Sequence, residues 1–191
     1  MSRRILIIDG HPDTNRDHFV HALAAAYAEG AAEHETRAIR VAELDFPLIR
    51  SQAQWAKGEV PAAIADAQQQ LLWAEHIVLL YPLWLGDVPA LLKGFLEQVM
   101  RPDFAFRYRP KGLPEKLLAG RSARVVVTMG MPAFFYRIYY GAHSLKSLER
   151  NILKFVGIGP IAHNVVGAVE GSEEARLGWL EEMRELGRQG A

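Results

Sequence analysis

The sequence predicts an α/β domain built on a doubly wound, five-stranded parallel sheet with helices on both faces. Two observations carry this. Apolar runs without alternation recur along the chain, Ile5–Ile8, Ile77–Leu80 and Val125–Val127, as expected of strands covered on both sides. Between them lie segments with apolar residues at helical spacing, so that strand and helix alternate and parallel crossovers follow.

Arg4 to Asp9 is the first strand, ending at Gly10-His11-Pro12-Asp13. A helix is expected from about Arg16, with Phe19, Val20, Leu23 and Tyr27 on one stripe. Thr36 to Val41 reads as the second strand, and residues 46–58 as irregular, with Trp55 among polar residues. Pro61 opens a helix to about Ala74. The third strand breaks at Tyr81-Pro82 into Pro82-Leu83-Trp84-Leu85-Gly86-Asp87. That loop is apolar for a connection, and its Trp and two Leu need something flat to rest on: a ligand, a neighbouring helix or a partner subunit. Val88, Leu91, Leu92, Phe95, Leu96 and Val99 then follow at helical spacing, with Pro89 in the first turn.

Residues 101–120 form an extended excursion before the fourth strand, Arg124 to Thr128. Met129-Gly130-Met131-Pro132 leads into the aromatic residues Phe134-Phe135-Tyr136 and Tyr139-Tyr140. A helix around Leu145–Val156, a fifth strand from Ile161 to Val169 and a last helix from near Ser172 complete the chain.

The 191 residues suit a single domain, residues 1–191. Lys and Arg total 22 against 22 Asp and Glu, so no broad attraction to nucleic acid is implied. The absence of cysteine excludes disulfides and thiol catalysis. Arg3-Arg4 precede too short an apolar run for a signal peptide, and no segment has the length of a membrane span, so a cytoplasmic protein without direct membrane insertion is expected.

Three loops, 10–17, 82–87 and 128–136, follow the first, third and fourth strands. With strands ordered 2-1-3-4-5 they gather at the switch point, where such sheets bind ligands. The first could receive a phosphate on a helix N-terminus. The other two could sandwich a planar ring.

These residues carry a resemblance. Pro82-Leu83-Trp84-Leu85 followed by Val88-Pro89-Ala90-Leu91-Leu92-Lys93-Gly94-Phe95 resembles the flavin-ring loop and following helix of the NAD(P)H:quinone oxidoreductases, the diaphorase-like group of flavodoxin-like flavoproteins. Thr128-Met129-Gly130-Met131 resembles the second ring loop, and Tyr136 the active-site tyrosine. Asp103 to Tyr108 resembles the segment that crosses a dimer to the active site. The resemblance implies bound FMN, with FAD as the alternative, NADH or NADPH as co-substrate, a quinone-like acceptor and a homodimer. It assigns cofactor contacts to His11, Asn15, Asp17, His18, Phe19, Pro82, Leu83, Trp84, Leu85, Thr128, Met129, Gly130 and Met131. Phe106, Tyr108 and Phe134 would line the substrate pocket, while Tyr136 and His143 would stabilise charge on the reduced flavin.

One departure stands out. The family's first loop carries Ser or Thr hydroxyls where this chain has Asn15-Arg16-Asp17-His18. Asp17 would repel a phosphate if it faced one; capping the helix, the commoner use of Asp there, is the preferred reading. His18 and His21, i and i+3 on a helix, lack a third ligand nearby in sequence, so no metal centre is expected. Ser144 and Ser147 have no nucleophile-elbow context. Arg107, Arg109 and Lys111 form a small basic rim. The expected reaction is ping-pong hydride transfer, nicotinamide and acceptor using one stacking position in turn. Rival readings are a one-electron carrier, which the neutral charge disfavours, and an accessory flavoprotein of a potassium-efflux-type transporter.

Overall fold

A computed structural model describes residues 2–191. Along the chain run β1 (Arg4–Asp9), α1 (Phe19–Gly30), β2 (Glu35–Arg40), α2 (Gln52–Lys57), α3 (Ala62–Trp73) and β3 (His76–Pro82). Then come α4 (Ala90–Val99), β4 (Phe106–Arg107), β5 (Glu115–Lys116), β6 (Ser122–Thr128) and α5 (Ala133–Ile138). The last part holds α6 (His143–Ser147), a π-helical stretch Leu148–Leu153, α7 (Lys154–Val156), β7 (Ile161–Val166) and α8 (Glu173–Gln189). Five parallel strands form one sheet in the order β2-β1-β3-β6-β7, the predicted 2-1-3-4-5, and β4-β5 form a separate antiparallel hairpin.

Alternate residues of the central strands face opposite cores, because side chains alternate along a strand. Leu6, Ile8, Ile77, Leu79, Tyr81, Val125 and Val127 pack with Ile64, Leu71, Leu92, Phe95 and Leu148 on one face. Ile5, Ile7, Val78, Leu80, Val126 and Val166 pack with Val20, Leu23, Tyr27 and Met183 on the other. The α1–α8 crossing is close enough to require glycine: a Cβ on Gly187 would lie 2.2 Å from the Tyr27 carbonyl oxygen.

Several boundaries differ from the sequence reading. The stretch 46–58 contains α2, started by Ser51, whose hydroxyl accepts from the Gln54 N–H at 3.1 Å. Trp55 packs on Phe106, ring centres 5.8 Å apart, so its polar neighbours in sequence concealed an apolar contact. The aromatic run 134–140 is largely the helix α5. β3 carries on through Pro82, and β7 ends at Val166 rather than Val169. Helix α1 begins at Phe19 because the preceding residues bond locally. The Asn15 N–H donates to Asp13 Oδ1 (2.9 Å) and the Asp17 N–H to Asn15 Oδ1 (3.2 Å), turns that compete with helix. Among the described residues no helix is long and apolar enough to cross a membrane.

Candidate functional site

β1, β3 and β6 end on the same edge of the sheet, and their loops surround a cavity of about 270 Å³. His11, His18, Phe19 and Val20 form one side, Pro82, Leu83 and Trp84 a second, Thr128, Met129 and Gly130 a third, and Val169 and Glu170 close it. The apolar ring loops thus meet the start of α1 at the switch point, where a planar group with a charged tail can lie across them.

The charged end is built on histidine. His11 is 4% exposed, and its Nδ1 accepts the Asp13 N–H at 3.1 Å. That bond leaves the ring proton of the neutral form on Nε2, which has no hydrogen-bond partner among the described residues while the ring lines the cavity. Burial, then the neighbouring His18 and His21, push the His11 imidazole below its ordinary value. His18 stacks on His11 with ring centres 4.0 Å apart, and its Nε2 meets Asp13 Oδ2 at 2.8 Å. His21 binds the buried Asp9 carboxylate through Nδ1 and the Asp13 carbonyl through Nε2 at 3.2 Å. Asp9 also accepts the His11 N–H at 3.1 Å.

His18 is the N-cap residue of α1, extended in backbone, and no side chain caps the helix. The His21 N–H donates to the His18 carbonyl at 3.0 Å, so among the described residues the Phe19 and Val20 N–H groups are the first-turn donors open to an anion at the positive end of the helix dipole. Asp17 is not the cap, contrary to expectation: the local turns delay the helix, leaving Asp17 exposed one residue outside it. Asn15 and Asp17 do not line the cavity.

The ring loops supply fewer free amides than their position suggests. The Leu83 N–H donates to the Thr128 carbonyl (2.8 Å), the Trp84 N–H to Asp87 (3.0 Å) and the Met129 N–H to Val166 (2.9 Å). Gly130 and Met131 retain N–H groups with no partner among the described residues, and a Cβ on Gly130 would meet nothing within 4 Å. Leu85 points wholly into solvent at a positive φ of 48°, outside the cavity lining, as Met131 also is. Trp84 is half exposed and meets His11 edge-on at 5.8 Å.

The other expected site residues lie elsewhere in this subunit. Tyr136 is buried; its hydroxyl bonds to Ser144 Oγ at 2.8 Å and accepts the Leu145 N–H at 3.2 Å. It therefore anchors the start of α6 instead of lining the cavity. His143 is exposed in that first turn, and Phe134 is exposed on α5. Phe106 is buried against Trp55, Tyr108 and Phe155. With Tyr108 it lines a second, apolar recess of about 440 Å³ between α4 and the helical segment 143–156.

Val20, Val169 and Glu170 are cavity residues that sequence reasoning missed. They reach it only through the helix–sheet packing and the turn after β7, which no local pattern reports. His11 likewise proves to be the third histidine beside His18 and His21, although among the described residues no group of three or more such side chains is arranged to hold a metal ion.

A family model for the flavodoxin-like fold matches residues 3–186. Over 170 residues the chain is 27% identical to an uncharacterized NAD(P)H oxidoreductase of Haemophilus influenzae, covering 86% of this chain and 83% of that protein. A stretch of 69 residues is 39% identical to an FMN-dependent NADH:quinone oxidoreductase of Bordetella avium, covering 36% of this chain and only 34% of that protein's length. The solved structure of the NAD(P)H:quinone oxidoreductase from Methanothermobacter marburgensis superposes with a TM-score of 0.80 at 23% identity, over 99% of this chain and 97% of that one, a likeness of fold. Matched almost from end to end, and with the strand order and switch-point cavity described above, the chain belongs to the flavodoxin-like family.

Proposed function

We propose that this protein is an FMN-dependent NAD(P)H:quinone oxidoreductase. The observation that carries the reading is the cavity where the two apolar ring loops face His11, His18 and the uncapped start of α1. An apolar slot ending in donors suits a planar ring with an anionic tail. The name of the Bordetella relative supports the same activity, and that of the Haemophilus relative supports an NAD(P)H oxidoreductase.

Trp84, Leu83 and Met129 would hold the ring, the Gly130 amide would face its polar edge, and His11, His18 and the Phe19 and Val20 amides would hold the phosphate. A flavin supplies the hydride chemistry, accepting from a nicotinamide and delivering to an acceptor. The chain orients the partners and excludes water. His11 donates from Nε2 in the tautomer fixed by the Asp13 amide. His143, exposed at the first turn of α6, is the candidate proton donor to the acceptor, and Tyr136 holds that turn in place. Tyr108 of a second copy, exposed at the surface with the buried Phe106 packed behind it, would close the pocket, making the active unit a homodimer. Nicotinamide and acceptor would then occupy one position in turn.

Calorimetric titration with FMN and FAD tests the first step: FMN is expected to bind, and binding of neither flavin overturns the reading. With flavin bound, NADH or NADPH should reduce a simple benzoquinone with parallel initial-rate lines. Intersecting lines would mean that both substrates bind together.

A further inference from the structure

We propose that Arg16 is a phosphate-binding residue of this site: its guanidinium exchanges Glu43 for the flavin phosphate, so that Glu43 competes with the cofactor. The proposal rests on the flavin reading above and adds the residue that supplies permanent positive charge.

A phosphate monoester carries roughly two negative charges near pH 7, yet among the described residues neither lysine nor arginine lines the cavity itself. Permanent cations stand one side chain away. A small recess backs onto the cavity, and His11 belongs to both walls. Arg16 and Arg40 line that recess with Asp9, Asp13, His21 and Glu43. Nη2 of Arg16 lies 2.9 Å from Glu43 Oε1, and Nη1 of Arg40 lies 3.3 Å from the same oxygen. Two guanidiniums thus share one carboxylate oxygen. The neighbouring acids are engaged elsewhere. Asp9 accepts the His11 N–H and binds His21, and Asp13 accepts the Asn15 N–H and meets His18.

Of the two arginines the chain path selects Arg16. Arg40 ends β2, whereas Arg16 and Asp17 form the turn that runs into α1. Three peptide spacings separate Arg16 from Phe19, so their Cα atoms lie within about 11 Å even along a straight chain. An extended arginine side chain spans more than half of that distance, and the turn shortens it further. The pair with Glu43 is a surface one, its side chains 57% and 47% exposed, and such pairs add little to stability. A guanidinium on a phosphate makes a stronger, two-pronged contact. Release of Arg16 orphans no charge, because Arg40 stays on Glu43. The rest of the phosphate's shell is already in place. The Phe19 and Val20 amides are open, and His11, 4% exposed on the cavity wall, holds its Nε2 without a partner among the described residues. Arg16 also lies in the run Asn15-Arg16-Asp17-His18, where the resembling oxidoreductases carry hydroxyls, so a charged fork stands in for those donors.

The test measures dissociation constants for FMN and for riboflavin, which lacks the phosphate, by quenching of flavin fluorescence at one pH and low ionic strength. Arg16→Gln should weaken FMN binding roughly tenfold or more, the worth of a hydrogen bond to a charged group, and leave riboflavin unchanged. Glu43→Gln removes the competitor and should tighten FMN by about two- to fivefold, the worth of an exposed ion pair. Arg16 is exposed, so thermal unfolding should find Arg16→Gln close to wild type in stability. Unchanged FMN affinity in Arg16→Gln, an equal loss of riboflavin binding, or a Glu43→Gln protein that fails to tighten FMN overturns the proposal while the flavin reading stands. A greater loss in Arg40→Gln than in Arg16→Gln overturns it too, giving the contact to Arg40. No FMN binding by the wild-type chain overturns both.

Discussion

His11 lies flat against His18, with ring centres 4.0 Å and planes 22° apart, and His21 meets the edge of His11 at 5.0 Å. Burial, then the neighbouring His18 and His21, hold the His11 imidazole below its ordinary pKa, because like charges that close oppose each other. The arrangement hangs on two aspartates. Asp13 joins its amide to His11 and its carboxylate to His18, and Asp9 joins His21 to the His11 backbone.

Removing Asp9 should loosen the whole group. Asp9→Ala leaves the His11 N–H and His21 Nδ1 without their acceptor in a buried place, at a cost on the order of 1–3 kcal/mol. Urea unfolding should register that loss, with flavin affinity falling as well. Unchanged stability would mean that other bonds hold the histidines in place.

Trp84→Ala should behave in the opposite way. The ring is 49% exposed, so the fold loses little when it is removed. A flavin ring loses an aromatic wall worth about 0.5–1.5 kcal/mol, up to roughly tenfold in affinity. Flavin titration beside thermal unfolding separates the two quantities. An affinity equal to wild type would remove Trp84 from the ring site.

The sheet is legible in the sequence where strands are buried on both faces. β3 and β6 print unbroken apolar runs, whereas β2, exposed at the edge except for Ile39, gives a reading displaced by one residue. The start of α1 is hidden because Asp13 and Asn15 capture backbone N–H groups that a helix would otherwise use, a competition that apolar periodicity does not report. In the site, Pro82 to Trp84 and Thr128 to Gly130 announce themselves as apolar residues in loops. Glu170 and Val169 carry no such mark. Nor does the partnership of His11 with His18, which exists only because β1 ends beside the first turn of α1.

Tyr136→Phe distinguishes a scaffold role from a chemical one. Its hydroxyl joins Ser144 Oγ and the Leu145 N–H in a buried place, so its loss should cost on the order of 1–3 kcal/mol. Denaturant unfolding is expected to register that cost, with quinone reduction retained in the molecules that remain folded. A variant of unchanged stability with strongly reduced turnover would show the hydroxyl acting on the reaction itself.

His76 should make the fold sensitive to acid. It is 3% exposed on β3, its Nδ1 meets Ser122 Oγ at 2.7 Å, and its Nε2 is buried without a partner. Burial above all, with Arg3 and Arg124 adding repulsion, lowers its pKa from 6.5 to about 4. Between these values the unfolded chain binds a proton that the folded chain refuses, so stability rises with pH through that window. Full stability is present above about pH 6.5, and as pH falls toward 4 roughly 3 kcal/mol is lost. His76→Gln has no proton to gain, and its stability should fall less over the same window, whatever the substitution costs at neutral pH. Urea unfolding of both proteins near pH 4.5 and pH 7 gives the comparison. If the two lose stability in parallel as the solution is acidified, the acid sensitivity belongs to other groups.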